Sequence, residues 1–579
     1  MSAFYDLWIG TQEPQKARLN NTAWQKNIDG KYYLSLPQND IIFLCEKQSS
    51  THTLVILGQF YEPVDHQKLL KNCVDYVAGA TSIFDDPAGH YILFLFDKLN
   101  LYTHIFTNRL GTYHAYYRTG KNSNAISTYY LGLAKHAENK QLDWEGITGF
   151  FAMGFFPVDK TYLNSIKIFQ SASYYCFDEN LNLIKQQRYW QWTRNVSGND
   201  INIHTVELDN ILKLSLSYSL QNKRIALPIS GGLDSRVLAG VTTQNQYNNP
   251  ASIWGFSYGY SSDSVETKIA AKIAKKRNIP FNQYVVPNYL FDKLDIITDS
   301  VELFQYVDGT RQACMQELLE KRSDVVVCGH WGDVWMDTMG VEEPFGNDWK
   351  DALLKTFRKK IFKNGNDWLL KEVCKPYLTN SKEYLDSYFS DFVSQYQHIN
   401  DIDFIMKIFK TDQWSFRWTL SSIRMHQAGS FPVLPFYDKR IVDLFIKVPN
   451  EQVKDRLLEI EYLKVYHHDL ARITWQEYDR NLYNYKWFNN RSIVYRGVKK
   501  IQRGLSPSKT IIRNWEIFYL NENGRKNLEQ ELLTSAVNEI IPASKINMLL
   551  DDFYRSPSSS NGYAVSMLLT LSQFINKIL

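Results

Sequence analysis

The chain has 579 residues, enough for several large cores, and its 44% hydrophobic and 22% charged content is ordinary globular composition. Lys+Arg 65 against Asp+Glu 61 leaves +4, too small an excess to make nucleic acid or an anionic membrane the expected partner. No stretch approaches the roughly 18 uncharged apolar residues of a spanning helix. The unusual figure is 15% aromatic residues. Cys45, Cys73, Cys176, Cys314, Cys328 and Cys374 show no zinc or CxxC spacing, which suits free thiols in a reducing compartment. Met1 to Asp6 has no leader pattern, so a cytoplasmic location is expected.

Residues 1 to about 190 read as short strands between turns, with Ile41 to Leu44, Leu54 to Leu57, Tyr91 to Phe96 and Leu101 to Phe106 as examples. This predicts a β-rich domain over 1–192. The polar stretch Thr193 to Asp200 marks a boundary, and a second domain is expected over 201–579. There the pattern becomes strand alternating with helix. Arg224 to Ile229 reads as a strand, and Val237, Leu238 and Val241 mark a helix face. A strand near Ser252 to Ser257 follows, then Asp263 to Glu266 in capping-box form before the stripe Ile269, Ala270, Ile273, Ala274. Further strands are expected near Tyr284 to Val286 and Asp324 to Cys328. The class is α/β, with a doubly wound parallel sheet whose ligands sit at the carboxyl ends of the strands. From about Asp348 the chain reads as mostly helical. Arg496 to Arg513 reads as a solvated helix face or linker, Ser556 to Gly562 as a loop, and Tyr563 to Leu579 as a packing helix.

The segment richest in chemistry is Ile229-Ser230-Gly231-Gly232-Leu233-Asp234-Ser235, which ends a strand and opens a helix. Glycines admit a phosphate close to the backbone, and Ser hydroxyls with N–H groups at a helix start donate to it. A carboxylate inside such a cradle makes sense if Asp234 holds Mg²⁺, which takes one or two carboxylates together with phosphate oxygens. No G-x-x-x-x-G-K-[ST] loop is present.

This string resembles the S-G-G-x-D-S pyrophosphate loop of the asparagine synthetase family. The resemblance implies that ATP phosphates bind at Ile229, Ser230, Gly231, Gly232, Asp234 and Ser235, and that a carboxylate is activated as an acyl-adenylate with loss of pyrophosphate. Phe256-Ser257-Tyr258-Gly259 is similar to the family's F-S-V-G strand end, placing Ser257 and Tyr258 beside the adenosine. Val327-Cys328-Gly329-His330-Trp331-Gly332-Asp333-Val334 resembles L-S-G-x-G-A-D-E, which implies nucleotide contacts at Cys328 and Gly329 and a second magnesium carboxylate at Asp333. Arg424 and Leu434-Pro435-Phe436-Tyr437-Asp438 resemble the R-V-P-F-L-D signature. His330 stands where the family has a Glu, and an ordinary imidazole pKa permits proton transfer at neutral pH. Lys464 is the candidate for the family's charge-steadying lysine. Val334 replaces the segment's final acid, so the aspartate pocket is not simply copied.

In the N-terminal part, Gly89 to Asp97 and Arg109-Leu110-Gly111 with Ala115-Tyr116-Tyr117 resemble fold positions of the family's glutaminase domain. The nucleophilic Cys position holds Ser2, and Leu57 to Glu62 lacks the Asn and Glu of the glutamine-holding segment. The resemblance therefore implies an inactive Ntn-hydrolase-like sandwich joined to a PP-loop synthetase domain with a helical extension. The expected activity is ATP- and Mg²⁺-dependent amide formation between a small-molecule or peptide carboxylate and ammonia or a substrate amine, as in β-lactam synthetases and lasso-peptide cyclases. An asparagine synthase proper and a non-catalytic nucleotide-binding descendant stay open, as does a homodimer. Neither nucleic acid nor membrane is expected as a partner.

Overall fold

A computed structural model describes the chain apart from residues 1, 11, 15–16, 20, 28–29, 38–42, 121–122, 245–251, 342–348 and 488–512, and the side chains of 244 and 349–352. The fold is mixed α/β, with two six-stranded antiparallel sheets and one five-stranded parallel sheet. The antiparallel strands all lie before residue 189, and the parallel strands lie between Arg224 and Val433. No helix among the described residues is long and apolar enough to cross a membrane.

The strand Gly89–Asp97 is buried throughout, and its period of two explains how. Ile92, Phe94 and Phe96 enter the main core, whereas Tyr91, Leu93 and Leu95 enter a separate core closed by Leu69, Leu70, Cys73 and Tyr76 of the helix His66–Val77. Many of the aromatic residues are spent here, as in the stack of Phe84 on Phe106 at 4.6 Å. The expected strand from Leu101 starts later, at Thr103, because Asp97 accepts from the Leu99 and Asn100 N–H groups and Leu101 takes a left-handed φ of 61°. Residues 41 and 42 of another expected strand lie outside the described residues, and the strand there is Leu44–Gln48.

In the parallel sheet the spatial order is Phe281–Val285, Ser252–Gly259, Arg224–Pro228, Val325–Val327, Phe431–Val433. Sequence order therefore reverses between Arg224–Pro228 and Val325–Val327, which pair directly in parallel. The loops leaving these neighbours diverge to opposite sides and open a crevice at their carboxyl ends. Beyond the sheet the described chain is mainly helical, ending in the buried helix Ser559–Ile578.

Two local expectations are corrected. The helix Val265–Lys276 starts from Ser264 with no side-chain cap, and Asp263 instead bonds Lys268 at 2.8 Å, so the capping box is not made. The loop expected through Gly562 stops at Ser558, where Ser558 and Asn561 form a capping box that starts the last helix early. The basic run from Arg496 lies outside the described residues up to Arg513.

A buried ionic network ties the antiparallel part to the parallel part. Arg18 bonds Asp6 at 3.0 Å through two nitrogens and Glu302 at 3.1 Å, while Arg424 pairs with the other Glu302 oxygen. The Tyr130 N–H donates to Glu302 at 2.6 Å. Arg18 and Glu302 have no exposed side-chain surface, so each charge depends on its partners. The polar boundary stretch is also anchored, since Arg194 donates to the carbonyls of Phe445, Ile446 and Val448.

Candidate functional site

The crevice holds a cavity of about 480 Å³ walled by both sequence motifs. Its floor is the turn between Arg224–Pro228 and the helix Asp234–Gln244. Ser235 closes this turn on itself: its hydroxyl accepts from the Ser230 N–H at 3.0 Å and meets the Ser230 hydroxyl at 2.9 Å. The Gly232 N–H in turn donates to the Ser230 hydroxyl at 3.2 Å. The helix start adds N–H groups and a positive dipole end, which favour an anion. Gly231 is required by packing, because a Cβ there would run into Gln476 rather than into the cavity.

The second wall follows Val325–Val327. Gly332 opens the short helix Gly332–Trp335, and a Cβ on it would lie 2.6 Å from Asp234 Oδ1 and 3.0 Å from the Phe436 ring. The missing side chain thus lets the Asp234 carboxylate sit beside the segment that carries Asp333. Burial raises the Asp234 pKa and Asp333 adds to the rise, against the opposing pull of Arg456. Trp331 takes a left-handed φ of 80°, costly for a bulky residue, and is held by an indole bond to Thr411 at 3.1 Å and by its ring stacked on Tyr437. His330 lines the cavity with Nδ1 unpartnered, and burial pushes its pKa down to about 4. Its imidazole is therefore neutral at pH 7, which corrects the expectation of a group titrating near neutrality.

A third wall was not legible in the motifs. Ile402–Phe409, Lys410–Thr419 and Leu420–Gln427 form a continuous helix whose middle is π-helical, a rare winding that concentrates at functional sites. Lys410, Trp414 and Trp418 recur every four residues and line the cavity together. Burial lowers the Lys410 pKa, opposed by the nearby Asp333 carboxylate. Arg311 and Glu266 complete this side, with the Arg311 guanidinium 5.6 Å from the Tyr258 ring centre. Beneath the floor, Arg456, itself in a left-handed conformation, pairs with both Asp234 and Glu459. Sharing one arginine between two carboxylates leaves the fully buried Glu459 with a raised pKa, burial being the main cause.

The structure thus brings Ile229, Ser230, Gly232, Asp234, Ser235, Ser257, Tyr258, Gly329, His330 and Asp333 to one cavity. Gly231 and Cys328 support it from behind; the Cys328 thiol is buried against Val326 O, and burial raises its pKa. Lys464 is elsewhere: it lies on the helix Leu457–Tyr466 and bonds Glu461 at 2.8 Å, and among the described residues the lysine lining the cavity is Lys410. The signal in the sequence was the spacing Lys410, Trp414, Trp418, which an ordinary helical reading assigns to core packing. Among the described residues no three His, Cys, Asp or Glu side chains come together as a metal site. Asp234 and Asp333 both line the cavity and are of the type that holds Mg²⁺ together with phosphate oxygens and waters, although Asp234 is also paired with Arg456.

In the antiparallel part, Ser2 is buried and its hydroxyl donates to Asn21 Oδ1. Gln59 donates to Ser219 O at 2.7 Å, and Glu62 accepts from the Ala88 N–H at 2.7 Å. Arg424 is committed to Glu302, while Asp438 caps the helix Lys439–Phe445 and bonds Ser215 at 2.6 Å. These groups hold the fold.

A scan against protein-family models and a search of curated proteins return no match. Comparison with solved structures finds 29 matching chains. One is a glutamine phosphoribosylpyrophosphate amidotransferase from B. subtilis complexed with ADP and GMP, at 8% identity and a TM-score of 0.18, covering 49% of this chain and 85% of that one. Another, titled as the allosteric regulatory enzyme of purine biosynthesis, has 7% identity and a TM-score of 0.17 over 45% of this chain and 68% of its own. Likenesses this slight carry no argument about function.

Proposed function

We propose that the chain is an ATP-dependent amide-forming ligase of asparagine synthetase type, built as an inactive glutaminase-like unit over 1–192 and a PP-loop unit over 201–579. The observation that supports it best is the meeting of the serine-glycine turn with Asp234, Asp333 and Lys410 in one cavity at the reversal of strand order. The turn and the helix start bind the phosphates of ATP. Asp234 and Asp333 would hold Mg²⁺, which supplies positive charge against the leaving pyrophosphate. Lys410 steadies negative charge on the phosphate and acyl oxygens. The substrate carboxylate attacks the α-phosphorus, and the bond to the β-phosphate breaks. An amine then attacks the activated carbonyl, AMP leaves, and a proton is released.

His330, neutral at pH 7, offers the cavity an uncharged imidazole with one lone pair and one ring N–H rather than a standing charge. The test is ATP–pyrophosphate exchange across a panel of carboxylic acids. Exchange is expected with at least one acid and is lost in Asp234→Asn and Asp333→Asn, with unchanged circular dichroism. No exchange with any acid, and no pyrophosphate release in a cell extract, overturns the reading in favour of a nucleotide-binding descendant. The Arg456 pair on Asp234 is the observation that favours that alternative, because it offsets the carboxylate's charge without a metal.

A further inference from the structure

A second cavity, of about 420 Å³, adjoins the first and shares Arg311 and Trp418 with it. Its walls come from segments outside every motif: the chain after Ser252–Gly259, the turn Val307–Gly309, and the starts of the helices Asn514–Phe518 and Ser559–Ile578. Tyr260, Tyr306, Trp418, Trp515 and Tyr563 give it an aromatic lining. Tyr306 meets Trp418 edge-on at 5.0 Å and Tyr563 at 6.2 Å, and the Tyr260 hydroxyl is fixed by Asn514.

Asp308 is the carboxylate of this wall. It is 2% exposed, and its Oδ1 has no hydrogen-bond partner within close reach among the described residues. Burial drives its pKa up to about 7, against weak hydrogen bonding by the Ser566 and Tyr519 hydroxyls, and among the described residues no Lys or Arg contributes to its balance. A buried carboxylate so weakly satisfied carries a cost that a ligand can remove. Two cations of the wall are engaged on rings rather than on Asp308. Arg311 sits over the Tyr258 and Tyr260 rings, and Lys363 over the Trp414 and Trp418 rings at 4.4 and 4.7 Å, on the side shared with the first cavity. Arg513 is exposed. Aromatic faces around one carboxylate are the chemistry that holds an organic ammonium group, through ring quadrupoles and a charge-assisted hydrogen bond.

We propose that this second cavity binds a primary organic amine, its ammonium group on Asp308 and its body against the aromatic wall, as the second substrate of the ligase, the ammonium passing one proton to the Asp308 carboxylate to give the free amine that attacks. The inference rests on the amide-forming reading and names its acceptor: an amine of appreciable size rather than free ammonia, since five rings and 420 Å³ exceed what ammonia needs.

The experiment is calorimetric titration of the full chain, without ATP, with 2-phenylethylamine, its N-acetyl derivative and 3-phenylpropionate. The amine is expected to bind saturably, and at least ten times more tightly than the acetylated or acidic analogue. Asp308→Asn, which preserves shape, is expected to weaken the amine at least tenfold with an unchanged melting temperature. Tyr260→Leu weakens it as a second variant that keeps the carboxylate. Equal binding of the acetylated compound, tighter binding of the acid, or equal amine binding by folded Asp308→Asn overturns the proposal. Exchange of ATP with pyrophosphate needs no amine, so intact exchange without amine binding removes only this inference. Amine binding without exchange removes the ligase reading and leaves the site.

Discussion

The substitution Gly332→Ala probes whether Asp234 has to sit where it does. Ala suits a helix start, so the backbone raises no objection. The added Cβ, however, would stand 2.6 Å from Asp234 Oδ1 and 3.0 Å from the Phe436 ring, and the carboxylate or the ring has to yield by up to an ångström. Overpacking of this kind costs about 1–3 kcal/mol. Unfolding entropy near 2.1 cal/mol/K per residue gives about 1.2 kcal/mol/K for the whole chain of 579 residues, so the melting temperature falls by only about 1–3 °C. A displacement of about 1 Å in a positioning group can cost about 10²-fold in rate. The expected result is thus a folded protein with pyrophosphate exchange reduced about 10²-fold. Gly198→Ala is the control, because it lies outside the cavity and its Cβ would meet nothing within 4 Å. Unchanged exchange in Gly332→Ala, or equal losses in the two variants, would refute the reasoning.

Lys410→Met is expected to lower exchange by at least tenfold and Lys464→Met to leave it within twofold, since only the first lysine lines the cavity; the reverse order in a steady-state assay would restore Lys464 to the site. Burial pushes His90 and His426 down to about 3, so below pH 6.5 the unfolded chain takes up protons that the folded chain refuses. Their contribution to stability therefore rises with pH between about 3 and 6.5, each histidine costing about 2 kcal/mol at pH 5 at ~1.36 kcal/mol per unit, while Asp308, raised to about 7, acts in the opposite sense. Urea midpoints measured at pH 5 and pH 8 check this, and His426→Gln should flatten the dependence. Glu302→Gln leaves Arg18 and Arg424 short of a buried counter-charge and costs about 3–5 kcal/mol, read as a fall of about 3–4 °C in melting temperature. No change there would mean that the network contributes nothing net.

Periodicity and turn chemistry carry far in this chain. Continuous apolar runs and alternation located several strands, though not Phe431–Val433 within the part read as mostly helical, and the string Ser230 to Ser235 announced a strand-to-helix turn, because spacing of two or of 3.6 and the conformational needs of glycine are local properties. The second motif was equally visible, with Asp333 at its end. Local rules failed where a competing local contact won, as with Asp97 delaying a strand and Asn561 starting a helix early.

What the sequence alone determined was the identity of the groups able to do chemistry and the elements that carry them. Tertiary structure decided which groups meet. The reversal of strand order brought Asp234 and Asp333 to one cavity, although they are distant in the chain, and Gly332 made room for Asp234. The π-helical winding turned Lys410, Trp414 and Trp418 toward the cavity, and burial rather than residue type set His330 neutral. The aromatic excess divides in the same way: most rings fill cores, and those around Asp308 line a cavity, because only packing fixes which neighbours a ring meets.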